Sequence, residues 1–341
     1  MRFSDILIDW YSKYKRELPW RNTTSPYHVW LSEIILQQTR VSQGLDYYNK
    51  FVESYPTIED LAHDTEDNVL KLWQGLGYYS RARNLHATAK VVSNELNGVF
   101  PLTYDEIIKL KGIGAYTAAA ISSFCYGEKK AVVDGNVYRV LSRYFGINTP
   151  IDSTIGKKEF QELAQECLSI DHPGEYNQAI MEFGALQCTP SPNCGVCPLR
   201  VSCTACGNSM VKAFPVKEKK IKVRDRYFNF IVIGDDDSFY IQKRAAKDIW
   251  QNLYQFPLNE SEKEVLSPFE LKDSILSNAV FLRVSEQFKH LLSHQRIYAK
   301  FWEFNLTEMP AVKGLKKIKK RDIQEFAVPR IIQKYLESVK N

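Results

Sequence analysis

The chain has 341 residues, 44% of them hydrophobic, with 45 Lys and Arg against 40 Asp and Glu, a net charge of +5. That length points to two domains with packed cores, and the small positive balance permits nucleic-acid binding without specifying it. No apolar run is long enough to span a bilayer, and Met1-Arg2-Phe3-Ser4-Asp5 does not open a signal peptide, so a cytoplasmic protein is expected with no role in membranes.

Residues 1–206 read as helical. Ile6, Leu7, Trp10 and Tyr14 recur at helical spacing, as do Val69, Leu72 and Trp73. Thr103 with Glu106 predicts a capping box after Pro101. Residues 110–139 carry the strongest local signal. Gly112 and Gly114 allow a tight hairpin that lies close to a ligand. The Ala-rich run Ala115–Ser122 then begins a helix, whose first amides have no intrahelical partner and suit a phosphate oxygen. Val133-Asp134-Gly135-Asn136-Val137 follows, placing a carboxylate near that hairpin.

Five of the seven cysteines lie between Cys188 and Cys206. A disulfide scaffold spreads its cysteines through a small chain, so this cluster reads as a metal site. Gly207 to Arg226 is rich in Lys and Arg, contains Pro215 and reads as a linker. The remainder, 227–341, reads as a small α+β domain. Its expected elements are a strand at Tyr227–Ile233, a turn at Gly234-Asp235-Asp236-Asp237 and a hairpin partner at Phe239–Gln242. A helix opening at Ser267-Pro268-Phe269-Glu270, a strand at Arg296–Phe304 and a final helix over Asp322–Val339 complete them.

The hairpin and Asp134 pattern resembles the helix-hairpin-helix DNA glycosylases of the endonuclease III superfamily. Leu18-Pro19-Trp20-Arg21, Trp30–Thr39 and Trp73–Asn84 narrow the resemblance to the MutY family of adenine DNA glycosylases. It covers Trp10 to Cys203 strongly and the rest weakly. The implied fold is a helical glycosylase region carrying an iron–sulfur loop, followed by a Nudix-like domain. The implied activity is hydrolysis of the bond between adenine and deoxyribose in duplex DNA, where adenine is mispaired with 8-oxoguanine or guanine. A monomer is expected.

That reaction needs protonation of the leaving base and stabilisation of a positively charged sugar, tasks that two carboxylates can divide. Glu33 lies among Trp30, Leu31, Ile34 and Ile35, surroundings that would raise its pKa and keep it protonated as a general acid. By resemblance, Glu33 protonates adenine at N7 and Asp134 stays ionised facing the sugar cation. Tyr116 stands where strand-nicking relatives carry a nucleophilic lysine, which implies a monofunctional enzyme. Tyr116 and Asn136 then lie near the reacting sugar.

The resemblance further implies that Trp20, Arg21, Leu36, Gln178 and Met181 line the adenine pocket. Gln38 and Tyr78 would fill the gap left by the flipped base, with Arg81, Arg83, Gly112 and Gly114 on DNA. Cys188, Cys194, Cys197 and Cys203 resemble the superfamily's [4Fe–4S] ligands. Their gaps are five, two and five residues, the first one residue shorter than usual, and Cys206 adds a second Cys-x-x-Cys. Leu292-Ser293-His294 matches the loop that reads 8-oxoguanine, with Leu292 in place of the family's Phe. Residues 257–280 contain no Arg-Glu-x-x-Glu-Glu, so Nudix phosphohydrolysis is disfavoured. Two other readings stay open on sequence: a superfamily glycosylase with another base preference, and a non-catalytic DNA-binding protein. The presence of both Glu33 and Asp134 argues against the second.

Overall fold

The computed structural model describes residues 2–218, 222–271, 273–276, 279–306 and 314–339. The chain divides into two compact units, Met1–His63 with Asn84–Lys219, and Asp64–Arg83 with Lys220–Asn341.

The helices in chain order are α1 (Phe3–Tyr14), α2 (Pro26–Leu36), α3 (Val41–Ser54), α4 (Ile58–His63), α5 (Glu66–Leu72), α6 (Ser80–Glu95) and α7 (Tyr104–Ile107). They continue with α8 (Ala115–Tyr126), α9 (Gly135–Phe145), α10 (Thr154–Glu166), α11 (Pro173–Leu186), α12 (Thr204–Gly207) and α13 (Arg330–Ser338). None among the described residues is long and apolar enough to cross a membrane.

In the first unit α2 is buried on nearly every side, through Tyr27, Val29, Trp30, Leu31, Ile34 and Ile35. A helix apolar all round belongs in an interior, and this one packs against α3 and α8. A second core joins α1, α9, α10 and α11 through Leu7, Trp10, Val137, Leu141, Phe160, Ile180 and Phe183. Asp134 caps α9 by accepting the amides of Asn136 and Val137, both at 2.8 Å. Thr103 does sit at the N-terminus of α7. Its hydroxyl bonds the Glu106 carboxylate at 2.8 Å and makes no side-chain cap to the helix amides, so the expected box is replaced by a side-chain pair.

The two hairpin glycines differ. Gly112 has φ +78° and the Asn84 side chain 2.6 Å from where a Cβ would sit, so both conformation and space demand glycine. Gly114 has φ −98° and open space at its Cβ position. It is the N-cap of α8 and leaves the first amides of that helix uncovered by a side chain.

The second unit is built on strands β1 (Arg224–Ile233), β2 (Ser238–Lys243), β3 (Tyr254–Gln255), β4 (Leu258–Ser261), β5 (Ala279–Val284), β6 (Phe288–Leu291), β7 (Gln295–Leu306) and β8 (Leu315–Lys319). One sheet has the order β4-β1-β7-β5, with β6 also on β7, and the other runs β3-β2-β8. The long parallel pair β1 and β7 brings Phe230 beside Phe301, and Tyr335 of α13 stacks on Phe301 at 4.0 Å.

Three expectations change here. Phe239–Gln242 does form a strand, but it meets the β1 end only at the Gly234–Phe239 bridge and pairs instead with β3 and β8. Ser267 and Glu270 do form a capping box, but only a 3-10 turn follows at Pro268–Glu270. Asp273 then accepts the Ile275 amide at 3.1 Å, a local bond that competes with helix continuation. Asp322–Val339 is split into a 3-10 stretch, Lys320–Glu325, and α13, because Pro329 has no amide to continue a ladder.

Candidate active site

Glu33 projects from α2 and is only 7% exposed. It lines a pocket of about 190 Å³ in the first unit together with Trp20, Arg21, Leu36, Tyr116, Asp134, Asn136, Gln178 and Met181. Residues from five separate stretches of sequence thus converge on one cavity. Burial raises the Glu33 carboxyl to about 7, with a further push from nearby Asp134, against the opposing pull of the Tyr116 hydrogen bond and Arg21. Tyr116, in the first turn of α8, donates its phenol proton to Glu33 Oε2 at 2.6 Å and also approaches the Met181 sulfur. Burial and both carboxyls push that phenol well above its ordinary range, so it stays a donor.

Asp134 is set differently. Burial leaves its carboxyl above its ordinary value, and the Val137 and Asn136 donors and the Arg139 charge limit that rise. Besides the two α9 amides it accepts Asn136 Nδ2 at 2.8 Å. All three bonds are received, at the positive end of a helix, a setting that favours the charged form against the burial. The segment leading to it is fixed by fully buried Asn177, which accepts the Val132 amide at 3.2 Å and donates to the Lys130 carbonyl at 2.8 Å.

Sequence reasoning missed the ion network on the pocket wall. Glu182, with a side chain 1% exposed, receives Arg16 Nε at 2.8 Å and the Arg21 guanidinium at 2.7 and 3.0 Å. Burial would raise this carboxyl, but the two guanidiniums hold it at about 2. Tyr11 donates to Gln178 at 2.6 Å and lies beneath Arg21. Arg21 and Gln178 therefore have fixed orientations. The only sequence trace of this was the unusual placement of an acid among the apolar residues of α11.

Arg139 of α9 links Asn136 to the cysteine loop. It donates to Asn136 Oδ1 at 2.8 Å, to the Gly184 carbonyl at 2.6 Å and to the Cys188 carbonyl at 2.7 Å. Arg143, one turn on, bonds the carbonyls of Thr189, Pro190 and Val211 and reaches the Cys188 sulfur at 3.4 Å. Cys188, Cys194, Cys197, Cys203 and Cys206 line one small cavity there with Arg143 and Arg200. Among the described residues no group of three or more His, Cys, Asp or Glu side chains is placed to hold a metal ion.

Gln38, just after α2, is exposed and has φ +56°. In the second unit Tyr78 has φ +48°, is 43% exposed, and meets Ser293 Oγ through its hydroxyl at 2.7 Å. Non-glycine residues pay for left-handed backbone, so such positions gather at functional loops. Ser293 and exposed His294 form the tip between β6 and β7, with Leu292 half-buried and its amide bonded to the Gln295 carbonyl. Arg83 donates to the Gln251 carbonyl at 2.9 Å. Arg81 turns inward, against the reading that puts it on DNA. It is only 9% exposed, lies against the Trp73 and Tyr78 rings and bonds the Gly77 carbonyl.

Residues 31–167 match the HhH-GPD superfamily base excision DNA repair protein family, and residues 229–338 match a NUDIX domain. An adenine DNA glycosylase of Buchnera aphidicola subsp. Baizongia pistaciae (strain Bp) is 37% identical over 301 residues, covering 87% of this chain and 84% of its own. The chain belongs to the adenine DNA glycosylase family. Another adenine DNA glycosylase, from Buchnera aphidicola subsp. Acyrthosiphon pisum (strain APS), is 32% identical and covers 99% of this chain and 97% of its own. A solved thermostable thymine-DNA glycosylase shares 30% identity at a TM-score of 0.56, over 60% of this chain and 95% of its own. Membership of the adenine DNA glycosylase family makes this chain a base-excision repair enzyme, a helical HhH-GPD region joined to a Nudix-like one.

Proposed function

We propose that the enzyme hydrolyses the N-glycosidic bond of adenine mispaired with 8-oxoguanine or guanine in duplex DNA, and leaves the DNA strand intact. The observation that carries this reading is the pair of carboxyls in one pocket, Glu33 raised to about 7 and Asp134 receiving three hydrogen bonds at a helix N-terminus. Two carboxyls in such different hydrogen-bonding surroundings can act as acid and charge stabiliser in one reaction.

Glu33 gives its proton to the leaving base. Tyr116 engages Oε2, which leaves Oε1 to carry that proton. The sugar left behind is oxocarbenium-like, and the Asp134 carboxylate faces its charge with Asn136 alongside. Water then completes the abasic product. Tyr116 offers no amine, so no Schiff base forms and the backbone is not cut. Trp20, Leu36 and Met181 supply flat and apolar walls for adenine, while Arg21 and Gln178 supply oriented polar groups.

In the first unit the α8 amides next to Gly112 and Gly114 hold duplex DNA and Gln38 enters the base stack; in the second unit Tyr78 enters the base stack and Arg83 contacts DNA. Arg81 shapes the Tyr78 loop from beneath. Leu292, Ser293 and His294 read the opposite 8-oxoguanine. Cys188, Cys194, Cys197 and Cys203 would hold a [4Fe–4S] cluster. Convergence of half-buried thiols from one short span on one cavity fits such a cluster better than a zinc ribbon, whose two halves usually lie about 15–20 residues apart. Such a cluster would be structural, shaping the loop that Arg139 ties to Asn136. On this reading the enzyme works as a monomer where DNA is, in the cytoplasm.

The test is single-turnover adenine release from an 8-oxoguanine:adenine duplex, compared with Glu33→Gln. Wild-type release with loss in the variant is expected, and equal rates would remove Glu33 from the chemistry.

A further inference from the structure

The cysteine loop holds one thiol more than a four-thiolate set requires, and the extra one is not remote. Cys203 is the N-cap of the short α12 and Cys206 is the third residue of that helix. Both line the same cavity as Cys188, Cys194 and Cys197. The Cys206 and Cys194 thiols are near neighbours in that cavity. Cys206 therefore lies at the same corner of the cavity as Cys194.

The anchoring of the five thiols is unequal. Cys188 is pinned at the end of α11, its amide on the Phe183 carbonyl at 2.7 Å and its own carbonyl taken by Arg139. Cys203 donates to the Arg143 carbonyl at 3.5 Å. Cys194 follows the shortened first gap, which carries Pro190 and Pro192. Its turn, Cys194–Val196, is held locally by the Asn193 side chain on the Gly195 amide at 3.0 Å. A stiff, short bridge restricts how far Cys194 can follow a ligand. Cys206 is delivered from the other side by a turn closed through the bonds of Ser209 to Cys206 and Met210 to Ala205.

We propose that Cys194 and Cys206 share one coordination position, so that either completes a four-thiolate set with Cys188, Cys197 and Cys203. This rests on the cluster reading given above. The exchange is balanced without any redox partner: the thiol that binds releases one proton, and the thiolate that leaves takes one up. The spare thiol compensates for the shortened gap.

The full chain is purified anaerobically as wild type, Cys194→Ser, Cys206→Ser and the double variant. Iron and acid-labile sulfide per chain are measured with the visible absorption, and folding is checked by far-ultraviolet circular dichroism. Both single variants should keep iron and colour, and the double should lose them. In parallel the wild-type holoprotein is treated with iodoacetamide and the labelled cysteines are mapped by mass spectrometry, which needs no variant to fold. Partial labelling at both Cys194 and Cys206 is expected. Cys194→Ser as iron-free as the double variant, or labelling confined to Cys206, would overturn the shared position. Wild-type protein with zinc and no iron would instead fail the cluster reading itself.

Discussion

The Tyr116 hydroxyl stands 2.6 Å from Glu33 Oε2 inside the pocket, across a sequence separation of 83 residues. This bond sets one oxygen of the acid and opposes the burial that raises its pKa. On the function proposed above, the phenol also stands where an amine would have to be to attack the sugar.

Glu33→Gln should lower adenine release by about 10²–10⁴-fold, the usual share of a general acid, because it keeps the shape and removes the proton. Duplex affinity should change little. Single-turnover kinetics with a gel-shift titration read both quantities. Asp134→Asn should cost about 10²–10³-fold in the same assay, since a neutral amide cannot balance a developing cation.

The rate should fall as pH rises through about 7, where Glu33 loses its proton. Tyr116→Phe removes a hydrogen bond that favours the charged carboxylate, so this alkaline limb should move upward. A pH–rate profile of the two proteins decides it. A limb that moves downward, or does not move, would contradict the assigned role of the phenol.

Stability carries the same sign. Glu33 titrates at 4.5 as its ordinary value and at about 7 when folded. Between these values the folded chain keeps a proton that the unfolded chain has lost, so its contribution fades as pH rises and is gone above about 7. At about 1.4 kcal/mol per pH unit, the wild type forfeits on the order of 3 kcal/mol across that window. Glu33→Gln has no such dependence and should unfold at higher temperature than wild type at pH 8, with the gap closing or reversing at pH 5. Thermal melts at the two pH values measure this.

Wild-type protein should leave an abasic site that is cleaved only after alkali or heat, with little borohydride-trapped complex. Tyr116→Lys should gain trapping, because it installs an amine beside the sugar. Strand nicking by the wild type without alkali would contradict a monofunctional reaction.

Ser293→Ala with His294→Ala should reduce the preference for 8-oxoguanine:adenine over guanine:adenine by about 1–3 kcal/mol, the range of one hydrogen-bonded base reading. Ser293 also meets Tyr78, so the same change frees the Tyr78 hydroxyl from that contact. Competition between the two duplexes for the enzyme reads the preference directly. Deleting the whole second unit is a blunter test, since residues 64–83 lie within it. Tyr254 and Lys243 bond Asp67, and Arg83 bonds the Gln251 carbonyl.

Arg139→Leu should slow adenine release without emptying the pocket. It removes three anchors at once, on Asn136, Gly184 and Cys188. Rescue of part of the rate by Arg139→Lys would fit a bond to a single partner, because a lysine cannot reproduce the planar fork.

The sequence by itself determined those features that depend on near neighbours in the chain. Gly112 before the α8 helix, Asp134 as the cap of α9, the apolar surroundings of Glu33 and the crowding of cysteines are all properties of a few consecutive residues. The β1 and β7 strands were legible for the same reason, since runs of aromatic and β-branched residues favour a pleated, half-buried surface. What required tertiary structure was every pairing across long separations. Glu182 received Arg16 and Arg21 only when α11 met the segment before α2. Strand β2 chose β8 over β1, Asp273 ended the turn that the Ser267 cap opened, and Pro329 delayed the final helix to Arg330. Arg81 turned inward although its charge suggested the surface, because Trp73, Tyr78 and the Gly77 carbonyl form a place for it. Local patterns fix a residue's conformation and its polarity. Which partner satisfies a buried charge or an open strand edge is decided by packing, where an unpaired group costs more than any local preference supplies.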